Sequence, residues 1–75
     1  MNLEPFQQCV VEESSELAEK LRALKRFTHT DVFRELSQYE CGLLEQQAVA
    51  MDAYLTVLRL RVMAFHSTKE VHHAS

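Results

Sequence analysis

Apolar residues return at alternating steps of four and three through the second half of the chain: Leu44, Ala48, Met51, Leu55, Leu58, Val62 and Phe65. That alternation is the a/d seam of a coiled coil, kept up for about three heptads, and it requires one partner helix. The first half supplies one. Leu17, Leu21 and Leu24 recur at helical spacing between Glu16 and Phe27, with Glu16 and Lys20 as a favourable i,i+4 pair. The pattern therefore predicts an all-α antiparallel hairpin whose core is Leu17, Leu21, Leu24, Leu44, Ala48, Met51, Leu55, Leu58 and Val62.

The corner falls in "FTHTDVF", residues 27–33. Thr28 stands three residues before Asp31, which is a helix-start signal, and Thr30 is an alternative cap. From Asp31 onward there is no proline and a single glycine, Gly42. One glycine costs roughly 1 kcal/mol relative to alanine and seldom ends a helix by itself. One long second helix is expected from Asp31 to about His66, bent near Gly42 if anywhere. Before the first strong helix, residues 2–11 form a short helical segment, with Asn2 as its N-cap, Pro5 in its first turn and Phe6 and Val10 on one face. Ser14 and Ser15 either cap a new helix or sit inside a continuous one. Residues 1–66 make the single domain, and the polar residues 67–75 are expected to form a flexible tail.

The long helix has a second apolar side. At ~100° per residue, Val49, Ala53, Val57, Leu60 and Ala64 fall opposite the seam, with Tyr54 between the two. Glu45, Asp52, Arg59 and His66, spaced seven apart, form a narrow polar strip beside the seam. A 75-residue chain with one other helix of useful length covers the seam and leaves the opposite side bare. Burying ~600 Å² of such surface at about 25 cal/mol per Å² is worth on the order of 15 kcal/mol gross, before ordering costs. Association with another chain is expected, through Val49, Ala53, Tyr54, Val57, Leu60, Arg61 and Ala64.

Composition narrows the class. Apolar residues make up 47% of the chain, and glycine and proline occur once each, which favours helix throughout. The formal charge of -3 disfavours nucleic acid as the main ligand. Lys20, Arg22, Lys25 and Arg26 cluster, but at the C-terminal end of a helix that begins with Glu12, Glu13 and Glu16, as the helix dipole favours. The 43–65 stretch nears spanning length, yet Glu45, Asp52, Arg59 and Arg61 are costly at the centre of a bilayer, so no membrane insertion is expected. No basic region precedes an apolar core at the N-terminus, so no secretory signal is read there. Two cysteines, Cys9 and Cys41, are too few for a disulfide scaffold and are expected to be reduced.

Catalysis has little to work with. His29 lies in the turn, His66 at a helix end, and His72 and His73 in the tail, so the hairpin assembles neither a Ser/His/Asp nor a Cys/His set. The three C-terminal histidines do not make a closed metal-ligand set, and no cofactor is expected. Met51 and Met63 read as adaptable filler of a core or interface.

Several segments carry a resemblance: "NLEPF", "EESSELAEKLRALKRF" and, after the turn, "QYECGLLEQQAVAMDAYLTVL". Leu3-Glu4, the "LRALK" ending of the first helix, and Tyr39 followed by the alanine-spaced "LLEQQAVAMDAYLTVL" are the pieces that carry it. Over residues 2–66 the chain resembles the small co-chaperones of type III secretion needle subunits, the YscE, PscE, AscE and SsaE group. The resemblance implies a bacterial cytoplasmic hairpin that pairs with a tetratricopeptide-like chaperone. That pair keeps the needle subunit soluble and monomeric before export, and the free hairpin can form a homodimer. Two other readings share the pattern: a self-associating helical scaffold of phage type, and a nucleoid-associated regulator using Lys20 to Arg26.

Overall fold

The computed structural model describes the backbone of residues 3–74 and the side-chain surroundings through residue 65. Three helices follow in order: α1, Pro5–Phe27; α2, Asp31–Glu35; and α3, Gln38–Ala74. No strand occurs among the described residues, so the fold is all-α. α1 packs along α3 in an antiparallel hairpin, and the molecule is a rod of 56 × 20 × 15 Å. At ~1.5 Å per residue α3 is ~55 Å long and α1 ~34 Å, so the long helix sets the length and runs past the short one.

The core is the expected seam. Leu55 and Leu58 of α3 are buried against Val10 and Leu21 of α1, and Leu58 has no exposed surface at all. Leu17 and Leu24 on α1, and Leu44, Ala48, Met51, Val62 and Phe65 on α3, are half-buried around them. The ends are closed by aromatic pairs. Phe6 meets Phe65 edge to face with ring centroids 6.1 Å apart, and Phe27 meets Phe33 in the same way at 6.0 Å across the corner.

Four details settle or depart from the pattern-based expectation. First, no break separates an N-terminal segment from the first strong helix. The Ser14 hydroxyl donates to the Val11 carbonyl at 2.9 Å, back-bonding within a continuous α1 instead of capping a new helix. Second, α1 starts from Glu4, whose backbone N–H donates to the Gln7 side chain at 2.9 Å, with Pro5 at the first helical position. Asn2, expected as the cap, lies outside the described residues.

Third, the second helix is not continuous from Asp31. Thr30 caps the five-residue α2 by accepting from the Phe33 N–H at 3.3 Å, while the Thr28 hydroxyl donates back to Lys25. Leu36 is then extended, and α3 starts afresh from a capping box. The Glu40 N–H donates to the Ser37 hydroxyl at 3.1 Å, and the Ser37 N–H donates to the Glu40 carboxylate at 3.4 Å. Gly42, where a bend was expected, sits inside α3 without a positive φ. Fourth, α3 does not stop near His66, since its backbone is helical to Ala74. The side chains of the tail expected to be flexible, His72 and His73 included, lie outside the described residues.

Candidate partner-docking face

α1 and α3 differ in how many apolar sides they carry. Opposite its buried row, α1 presents Gln8, Glu12, Ser15, Glu19, Arg22 and Arg26, all exposed. A shallow, open depression on this side is lined by Glu16, Glu19, Lys20, Arg22, Ala23 and Arg26, so its cations share the surface with carboxylates. α1 is thus an ordinary amphipathic helix with one side in water.

α3 repeats its apolar stripe on the far side. Val49 is 70% exposed, Val57 52% and Leu60 57%, although Leu60 stands two residues from the fully enclosed Leu58. Ala53 and Ala64 are exposed in the same row. Single exposed apolar residues are common on any protein, but a contiguous row along one helix marks an interaction surface. The row also extends towards the N-terminus of α3, beyond Val49. Tyr39 is 76% exposed and precedes Val57 by five helical turns, which puts it at the same angle. Leu43 and Met63, 47% and 64% exposed, widen the rim. Near the corner, Leu36, Leu43 and Leu44 line a small groove with Glu40. The same 3.6-residue period, read back beyond Val49, carries the signal for Tyr39.

Of the residues expected to dock a partner, Val49, Ala53, Val57, Leu60 and Ala64 share the outer row. Arg61 is exposed on its edge. Tyr54 is placed differently: it stands on the rim between the two helices, where its hydroxyl donates to the Glu13 carboxylate of α1. That hydrogen bond to an anion is the main reason its phenol is raised above the ordinary 10.0, with desolvation and the Glu13 charge adding and Arg61 opposing. Tyr54 therefore ties the hairpin together at the edge of the outer row.

The strip between seam and row is polar and ordered by sign. Glu45 and Asp52 occupy its N-terminal half, and Arg59 follows one heptad later, all three exposed. The ion pair found among the described residues, Arg34 with Asp31 at 2.6 Å, belongs to α2 and leaves this strip out. Cys9 is exposed and unbridged. Cys41 is also a free thiol, half-buried at the corner, where its Sγ donates to the Phe33 carbonyl at 3.3 Å. Among the described residues no cluster of His, Cys, Asp and Glu is arranged to hold a metal ion. No helix among them is long and apolar enough to cross a membrane.

The profile of one protein family, described as Sequestin, matches residues 4–64. The chain belongs to the Sequestin family. The match begins at the cap of α1 and ends beside the Phe6–Phe65 contact, so it spans the paired part of the hairpin. Comparison with curated proteins and with solved structures returned no match in either set.

Proposed function

We propose that this Sequestin-family hairpin is a protein-binding adaptor, acting as a co-chaperone of a type III secretion needle subunit in the bacterial cytoplasm. In this reading it pairs with a tetratricopeptide-like chaperone, stabilises it, and so helps keep the needle subunit soluble and monomeric until export. The observation that carries the docking role is the exposed row Val49, Val57 and Leu60 on a helix whose opposite side is already satisfied. A helix that is apolar on two sides in a two-helix fold gains from a further helical surface, and grooves built of helical repeats take such a helix by its i, i+4, i+7 anchors. The resemblance of "LRALK" and "LLEQQAVAMDAYLTVL" to the needle co-chaperones supplies the identity of the partner. The mixed charges of the α1 surface give the nucleic-acid alternative little to bind with.

Co-expression with a helical-repeat chaperone is the direct test. A soluble 1:1 complex that Leu60→Glu abolishes and Glu45→Ala leaves intact is the expected result. Recovery of self-oligomers only, with no heteromeric complex, would move the function to a self-associating scaffold.

A further inference from the structure

We infer that the surface taking the outer row of α3 is apolar along most of its length and carries a carboxylate at the end that receives residues 57–64, where it pairs with Arg61. The inference rests on the reading that this row docks a helical-repeat protein, and it names the chemistry of the contact, which that reading leaves open.

Arg61 is the charge on an otherwise uncharged face. It follows Leu43 by five helical turns, so the two share an angle along one edge of the row. It also stands one turn from both Val57 and Ala64, which are members of the row. Tyr39, Val49, Ala50, Ala53 and Leu60 are exposed across the rest of the face, and Gln46 is polar without charge. Glu45, Asp52 and Arg59 lie outside it, on the strip towards the seam.

The hairpin itself leaves Arg61 unsatisfied. Tyr54 feels the charges of both Glu13 and Arg61, but the Glu13 carboxylate accepts from the Tyr54 hydroxyl. Arg61 has no ion pair among the described residues. A partner that covers Val57 and Ala64 also covers the apolar stem of Arg61 and draws its guanidinium partly out of water. A cation withdrawn in that way without a counter-charge opposes binding. A carboxylate meets the guanidinium fork with two parallel hydrogen bonds and removes the penalty.

The net charge of -3 does not stand against an acidic contact at this point. Glu12, Glu16 and Glu19 lie on the solvent side of α1, across a rod of 20 × 15 Å cross-section. Exposed charges more than ~8 Å apart are largely screened at physiological salt, so Arg61 sets the local sign.

Dissociation constants of the purified 1:1 complex with the helical-repeat chaperone, taken at low and high salt, test the inference. Arg61→Met keeps an apolar stem and removes the charge, and it should weaken the complex at least about tenfold. Arg61→Glu should weaken it further, by about a hundredfold, because it sets like charges together. Arg61→Lys should fall between wild type and Arg61→Met, since it keeps the charge and loses the fork. Arg59→Met should stay within about twofold of wild type. Added salt should weaken the wild-type complex more than that of Arg61→Met. Both arginines are exposed, so circular dichroism should show every variant as helical as wild type. An Arg61→Met complex as tight as wild type, or an Arg61→Glu complex tighter than it, overturns the inference and leaves the docking role standing. A wild type that forms no complex removes the docking role and this inference with it.

Discussion

The two apolar sides of α3 are built from the same kinds of residue, and folding treats them differently. Leu58 is wholly enclosed by α1, while Leu60, two residues on, keeps 57% of its surface in water. The difference lies in the partner supply. α1 offers one row, Val10, Leu17, Leu21 and Leu24, and then turns a charged side to solvent. A second row on α1, or a third helix of comparable length, would have closed the molecule. The inner side of α3 therefore makes the fold, and the outer side stays exposed.

Substitutions break the comparison at different strengths. Leu58→Ala should cost ~2–5 kcal/mol, because it empties the most enclosed point of a small core. Against a total of roughly 5–15 kcal/mol for a typical domain, that is enough to broaden or abolish the cooperative melt seen by circular dichroism. Leu60→Ala, by contrast, should shift the melt by no more than ~0.5 kcal/mol when both proteins are diluted until monomeric. Equal losses at the two positions would erase the distinction between the faces.

Next in size is the start of α3. Ser37→Ala removes the acceptor of the Glu40 N–H and should cost about 1 kcal/mol in a denaturant titration. Gly42→Ala should move stability the other way by up to ~1 kcal/mol, since an added Cβ meets nothing within 4 Å and the backbone there is helical. A loss at Gly42 would mean that the outer side of α3 is covered by the chain itself.

The smallest effect is a pH dependence at the rim. The folded state holds the Tyr54 phenol above the ordinary 10.0 through its hydrogen bond to Glu13. The stabilisation from that bond is complete below the unfolded value and is lost as pH rises through the folded one. Wild type should therefore lose stability relative to Tyr54→Phe only above about pH 10, measured as the difference in thermal midpoints. A difference that does not change with pH would show that the Glu13–Tyr54 contact does not hold the helices together.

Much of the fold can be read from spacing. The alternation from Leu44 to Phe65 sets the seam, and every member of it is buried or half-buried. What spacing misses is local hydrogen bonding. "SQYE", residues 37–40, is a capping box inside an otherwise helical run, and periodicity alone passes over it in favour of the more conspicuous Gly42. Ser14 and Ser15 show the converse, because hydroxyls able to cap a helix can also bond back to the preceding turn. Tyr54 was legible as an aromatic beside the outer row, but its bond to Glu13 depends on the register between α1 and α3, which a one-helix pattern does not contain. The outer row was legible as a surface that α1 cannot reach. The chemistry of a partner is not written in apolar spacing, which is why the proposed partner rests on resemblance.

Light scattering on wild type and Leu60→Glu, each alone and co-expressed with the helical-repeat chaperone, tests the division of labour between the faces most directly when read beside far-ultraviolet circular dichroism. Wild type should run above its monomer mass of 8.7 kDa in both settings, while the variant should run at that mass with unchanged helicity. A wild type that stays at 8.7 kDa at every concentration and ignores the chaperone would contradict the account.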